Sequence, residues 1–376
     1  MRERKRILII CPFPKGVAAG QRLKYEQYIY EWEKKGWEVD ISSFMDMPTW
    51  RVAYLSGNYR KKILGVIKGH FRRLFDLFRI RNYDLVYVFM YVTPFFSTIM
   101  ERLVKKLARN LIYDIEDNIF TEQKFSNINN PNPFSRIIKS PNKANFLIRN
   151  ADHVITSSPF LNQFCLERNI NKACTYITSS INTKLFYPTN KYLNNSILTI
   201  GWTGTFSSKG FLDQLEVVFK KLSQRVDFKL RIIGNFDYDL QDVNLEVIKW
   251  SRDREVKDMQ GIDIGVYPLP NDNWVLGKSG LKAIQYMAFG IPCVASNVGT
   301  TPLIIKDRVN GLLVKSEEEW LEALEELIQD QYLRKRLGSQ ARKDAIEKYS
   351  IDAVSNKYNE ILSSLLEKND YWYENI

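Results

Sequence analysis

The feature that most constrains this chain is an alternation of short β-branched runs with helical patterns that proceeds through six strands, stops, and starts again. The first set of apolar runs falls at residues 6–10, 37–44, 85–90, 111–115, 153–157 and 175–179. The second falls at 197–202, 228–233, 245–250, 262–267, 292–295 and 311–314. Strands that alternate with helices build βαβ units and parallel sheets, so the pattern predicts an α/β fold with two doubly wound domains. Between the sets, residues 187–196 are polar, contain Pro188 and three asparagines, and read as a linker. A chain of 376 residues also exceeds a single core of about 100–200 residues. The expected division is a domain over 1–187, a second over 188–350, and a terminal helix over 351–376. That helix aligns Val354, Tyr358, Ile361, Leu362 and Leu365 on one side and is expected to return to the first domain. No period of about 20–50 residues is present, which excludes a solenoid.

Several function classes drop out on composition. No apolar run reaches the roughly 18 residues of a membrane span. Residues 1–6 are charged and lead directly into a strand, without the pattern of a signal peptide, so a cytoplasmic protein is expected. Cys11, Cys165, Cys174 and Cys293 lack metal-site or redox spacing and read as reduced core thiols. With His70 and His153 as the only histidines, a histidine-rich zinc site is excluded and a Ser-His-Asp triad disfavoured.

Charge is distributed unevenly. Residues 1–190 carry 30 Lys and Arg against 16 Asp and Glu, a net +14, whereas residues 191–376 carry 24 against 27, a net −3. Much of the excess lies in residues 60–81, with eight basic residues and one acid. Within it, Ile63, Leu64, Ile67, Phe71, Leu74, Phe75 and Phe78 recur at helical spacing. Two readings follow: a helix lying on an anionic membrane surface, or a stripe packed on the sheet with its basic residues solvated. Nucleic acid is not an expected partner, because no recognition motif accompanies the charge.

Three loops hold the residues suited to chemistry. At 277–281, GKSGL precedes a helical run, where free backbone N–H groups and the helix dipole favour phosphate and Lys278 adds charge. At 201–210, GWTGTFSSKG offers Gly201 and Gly204 for close backbone approach, the hydroxyls of Thr203, Thr205, Ser207 and Ser208, and Lys209. At 113–118, YDIEDN puts Asp114, Glu116 and Asp117 at a strand's carboxyl end, where α/β sheets bind ligands, although such carboxylates also serve as helix caps. The first strand's loop, PFPKGVAAGQR, spaces Gly16 and Gly20 four apart and lacks the GxGxxG of a dinucleotide site.

The run GKSGLKAIQYMAFGIPCVASNVGTTPLI resembles the C-terminal domain of retaining glycosyltransferases of family 4, which have the GT-B fold. The likeness extends through IGWTGTFSSKGF, IKWSRDREVKDMQGIDIGVYPLPNDNW, NGLLVKSEEEWLEAL and LGSQARKDAIEKYS, and more sparsely through PFPKGVAAGQR, YDIEDNIF and ADHVITSSPFL. It implies two Rossmann-like domains facing a cleft and transfer of a sugar, with retention, from a nucleotide-diphospho-sugar carrying UDP or GDP. The implied acceptor is a glycan or a polyprenol-linked molecule of surface polysaccharide or glycoconjugate synthesis. Neither a metal nor a further cofactor is implied. Donor-binding positions carried over are Gly204, Thr205, Lys209, Trp250, Gly277, Lys278, Ser279, Gly280, Leu281 and Gln285. Acceptor-side positions are Gly16, Gly20, Arg22 and Asp114, and the catalytic candidates are Lys278, Lys209, Asp117 and Glu116.

Two departures stand out. The family's donor-loop arginine is replaced by Trp202, and its pair of glutamates by Gly277 and Gln285, which leaves Lys278 to supply charge. A non-catalytic GT-B protein binding a nucleotide or glycan, a sugar-nucleotide epimerase of this fold, and a membrane-surface scaffold are the alternatives.

Overall fold

The computed structural model describes residues 5–94, 97–116, 118, 141–189 and 197–374. All twelve apolar runs form strands, six to a sheet. The first sheet comprises β1 (Lys5–Cys11), β2 (Trp37–Ser43), β3 (Leu85–Phe89), β4 (Leu111–Ile115), β5 (His153–Thr156) and β6 (Cys174–Tyr176), ordered β2-β1-β3-β4-β5-β6. The second comprises β7 (Leu198–Thr203), β8 (Phe228–Gly234), β9 (Leu245–Lys249), β10 (Ile264–Tyr267), β11 (Cys293–Ser296) and β12 (Leu312–Val314), ordered β12-β11-β10-β7-β8-β9. Every pairing is parallel. Central strands such as β3 and β4 are buried on both faces, which is why they read as continuous apolar runs rather than alternating ones.

The strand order fixes where a ligand can sit. The chain leaves β7 toward β8 and β9, then returns to place β10 on β7's other side, with Ile200 opposite both Leu230 and Ile264. Loops after β7 and β10 therefore flank a topological switch point, the crevice where open α/β sheets bind ligands. In the first sheet β1 lies at the equivalent position, between β2 and β3.

The chain divides into two compact units. Among the described residues one takes in 5–94, 97–116, 118, 141–178 and 354–374, and the other 179–189 and 197–353. In the first unit the final helix, Ile351–Glu374, buries Val354, Tyr358, Ile361, Leu362 and Leu365. Tyr358 packs 4.5 Å from Tyr28 and 5.9 Å from Trp32, ring centre to ring centre. Most of the 187–196 linker lies outside the described residues.

The basic segment forms one helix, Tyr59–Arg79, and its packing corrects the reading in which the apolar stripe faces the sheet. The buried side carries Gly65, Gly69, Arg73 and Asp76. Arg73 donates to the Val92 carbonyl (2.7 Å), the Cys11 carbonyl (2.8 Å), Ser42 (2.8 Å) and Asp76 (3.0 Å), so the buried charge is paired and hydrogen-bonded. The apolar stripe is turned outward, with Phe71, Phe75 and Phe78 exposed.

Candidate active site

In the second unit, β7 runs into a tight loop. The Gly204 N–H donates to the Ile233 carbonyl at 3.0 Å, and a Cβ on Gly204 would stand 2.2 Å from the Trp202 ring, so only glycine fits there. Thr205 caps the following turn: its N–H meets Ser208 Oγ (3.3 Å), and its hydroxyl meets Ser207 Oγ (2.8 Å). Of the hydroxyls expected to face phosphate, those of Thr205 and Ser207 bond to each other and that of Ser208 donates to the Thr205 carbonyl. Lys209, which opens the short helix Lys209–Leu212, is drawn sideways. Its ammonium lies 2.8 and 3.0 Å from the Asp213 carboxylate and 5.0 Å from the Tyr238 ring. Lys209 is thus an already neutralised cation, and engaging an anion requires it to leave Asp213.

Across the switch point, a 3₁₀ turn (Asn273–Gly277) precedes the helix Leu281–Ala288. Gly277 is buried within the turn, and Lys278 closes it by donating to the Val275 carbonyl at 2.9 Å. Gly280 has φ +73°, and a Cβ there would come 2.2 Å from Ile304, so this glycine is required on both counts. Thr300 locks the junction by donating to the Lys278 carbonyl at 2.7 Å. Buried Ser279 and Gly280, followed by half-buried Leu281, thereby bring the helix N-terminus, whose first-turn N–H groups have no intrahelical acceptor, to the carboxyl side of β10. Gln285 is buried one turn further in. Lys278 is half-buried, its ammonium 4.1 Å from the Trp274 ring centre.

Sequence reasoning passed over Lys282. Four residues beyond Lys278, it reaches from the first turn of the Leu281–Ala288 helix to the other loop, 3.3 Å from Ser208 Oγ and 4.5 Å from the Trp202 ring centre. Burial pushes its ammonium down to about 7, and the like charge of Lys278 adds to the effect. Trp202 stands where an arginine was expected, and a lysine from another element covers its face. The available signal was a second lysine in the first turn of a glycine-led helix start. Trp250 follows β9, at the sheet's edge, and donates to the Gly234 carbonyl at 2.8 Å.

The first unit builds its β1 loop from carboxylates. Gly16, at φ +82°, donates its N–H to Glu26 at 2.8 Å, and Gln21 donates to the other Glu26 oxygen at 2.7 Å. Burial raises the Glu26 carboxyl, opposed by Gln21, Gly16, Lys15 and Arg22. Glu116, at the end of β4, lies against Gly20, where a Cβ would be 2.5 Å from its Oε2. Two residues assigned from separate motifs therefore meet, and Glu26, unforeseen, holds Gly16 and Gln21 of the same loop. Asp114, expected on the acceptor side, is wholly buried, paired with Lys24 and accepting a hydrogen bond from Tyr87, so its carboxylate is engaged within the unit. Burial raises its carboxyl, with Lys24 and Tyr87 opposing. Asp117 lies outside the described residues. Among the described residues, no group of three or more His, Cys, Asp or Glu is placed to hold a metal ion.

Similarity to known proteins falls on the same features. The family described as Glycosyl transferases group 1 matches residues 197–330, the span holding Lys209, Lys278 and Lys282. Over 109 residues the chain is 32% identical to a D-inositol 3-phosphate glycosyltransferase of Corynebacterium aurimucosum, covering 28% of this chain and 24% of that protein. Over 80 residues it is 35% identical to an uncharacterized glycosyltransferase of Methanocaldococcus jannaschii, covering 21% of this chain and 20% of that one. The matches span no more than about a quarter of those relatives' length. Sucrose-phosphate synthase from Thermosynechococcus elongatus superposes with a TM-score of 0.70 at 16% identity, over 97% of this chain and 100% of that one. HepE of Anabaena, in complex with UDP and glucose, does so at 0.66 and 14%, over 96% and 100%. The fold is GT-B. Its second unit carries the segment similar to group 1 glycosyl transferases.

Proposed function

We propose that the chain is a glycosyltransferase taking a nucleotide-diphospho-sugar as donor, with the diphosphate held at the switch point of the second unit. The observation that carries the reading is Lys282, which reaches from a glycine-led helix start to Ser208 in the loop after β7, with Lys278 at the entrance of the same helix. UDP is the favoured nucleotide, by analogy with the UDP complex of HepE.

In this mechanism the chain's work is electrostatic. Departure of the diphosphate from the sugar builds negative charge on phosphate oxygens, and fixed donors placed beforehand lower the barrier without having to reorganise. Lys278 and the first-turn N–H groups meet that charge from the β10 side, and Lys282 meets it from above Trp202. Gln285, an amide with both donor and acceptor, suits ribose hydroxyls. Glu116, beside Gly20, orients an acceptor hydroxyl belonging to a glycan or lipid-linked molecule. Transfer proceeds with retention: acceptor and leaving group share one face of the sugar, and no protein nucleophile is called for.

A thermal-shift panel of UDP, GDP, ADP and TDP with their common sugar conjugates tests the donor, because a ligand of the native state raises apparent stability. UDP and a UDP-sugar should raise Tm, and the conjugate should be consumed once an acceptor is supplied. Silence across the panel overturns the reading, and binding without turnover on any acceptor makes the protein a nucleotide-binding one.

A further inference from the structure

We infer that the outward face of the Tyr59–Arg79 helix docks the protein on an anionic lipid bilayer, independently of the proposed transfer reaction. The argument begins with which side of the helix is used for packing. An amphipathic surface helix ordinarily turns its apolar stripe to the core. Here the core side carries two glycines and a paired Arg73–Asp76, and the fit is close. A Cβ on Gly65 would stand 2.3 Å from Thr49, and one on Gly69 would stand 2.6 Å from the Phe44 ring. At 100° per residue, the seven apolar residues from Ile63 to Phe78 fall within an arc of about 120°, diametrically opposite that packed side.

All seven are exposed, Phe71 by 67%, Phe75 by 66% and Phe78 by 86%. The 21-residue helix is roughly 32 Å long, so this is a continuous strip rather than scattered apolar residues. Surfaces of that kind mark a partner. Tyr54 and Leu55 just before the helix, and Ile99 on the neighbouring helix Ile99–Leu107, are exposed as well.

Charge selects the partner. Arg60, Lys61, Lys68 and Arg81 are exposed on or beside the helix, and residues 1–190 carry a net +14. A second copy of the chain would bring like charge against like. An anionic bilayer takes the phenylalanines into its interfacial region and pairs the cations with headgroups. Among the described residues no helix is long and apolar enough to cross a membrane, so the mode is lying on the surface.

Vesicle flotation tests this with phosphatidylcholine alone and with about 30% phosphatidylglycerol added. The unaltered chain should bind the anionic vesicles at least about tenfold more tightly and lose binding in high salt. The variant Phe71→Ser/Phe75→Ser/Phe78→Ser should lose about 10²-fold or more with Tm and nucleotide response unchanged, since none of the three is packed. Lys61→Gln/Lys68→Gln/Arg81→Gln should lose about tenfold; Arg72 and Arg73 are left intact because they hold backbone carbonyls. Absence of binding by the unaltered chain overturns the inference, as does undiminished binding by the phenylalanine variant. So does a dimer that the phenylalanine variant splits without any vesicle binding, which would make the strip a self-interface.

Discussion

The loop after β1 and the loop after β7 occupy the same place in two similar sheets, and their linings differ in charge: carboxylates and cations together at the first, an excess of lysine at the second. Around β1, Glu26 receives the Gly16 N–H and Glu116 lies against Gly20. Around β7, Lys209 and Lys282 lie on two different elements, with Lys278 just before the helix that carries Lys282. Bulk charge runs the other way, for residues 1–190 are net +14 and residues 191–376 net −3. The charge that selects a ligand is therefore local. The half with net negative charge holds the cationic mouth, and the basic half sets Glu26, Glu116 and Asp114 beside Lys15, Arg22 and Lys24 at its own, with its surplus on an outer helix.

The largest expected effect breaks the cationic side. Lys278→Ala/Lys282→Met should lower kcat/KM for the donor by about 10²–10³-fold, the scale of removing preorganised stabilisers of developing charge. Stability should hold or rise, because a half-buried like-charge pair is removed. A thermal melt beside the kinetics separates loss of function from loss of fold. Turnover unchanged with the true donor would move the diphosphate elsewhere.

The acidic side should respond more weakly and in a different parameter. Glu116→Gln keeps the shape beside Gly20 but removes the charge, and should raise the acceptor KM by about tenfold while donor binding is unchanged. A matching loss of donor affinity would erase the division of labour between the two mouths.

Titration sharpens the comparison further. Lys282 falls from an ordinary 10.5 to about 7 in the folded protein, so between those values the unfolded chain holds the extra proton and stability rises with pH. Below about 7 both states are protonated and that slope vanishes. A diphosphate favours the ammonium, so donor affinity should instead fall as pH climbs past 7, by at most about tenfold per unit. Ligand-free melts and donor titrations across pH 6–9 should thus run in opposite directions, and Lys282→Met should flatten both. Parallel trends would assign the titration to another group.

The fold was legible in the sequence because parallel strands buried on both faces appear as unbroken β-branched runs, and all twelve became strands. The lysine-rich helix start was legible for a similar local reason: glycines and Lys278 are consecutive. What was hidden depended on partners distant in the chain. Strand-end position put Asp114 at a binding edge, but Lys24 and Tyr87 turn it inward. Lys282 read as one more helix lysine until Trp202 and Ser208 stood beneath it. Periodicity revealed the apolar stripe of the Tyr59–Arg79 helix without revealing its direction. Gly65 and Gly69, on the opposite side, were the unread sign of close packing there.

The smallest effect asks whether Lys209 belongs to the cationic mouth at all. Its pairing with Asp213 is an i,i+4 contact between partly exposed groups, a class worth under about 1 kcal/mol, so a donor diphosphate can compete for it. Asp213→Asn removes the competitor and leaves the lysine in place. If Lys209 turns to the donor, affinity should tighten by about two- to fivefold, within the free energy of the released pair, and Lys209→Ala should cancel the gain. If affinity is the same in all three proteins, Lys209 serves only the helix start, and Lys278 and Lys282 carry the charge of the second unit's mouth by themselves.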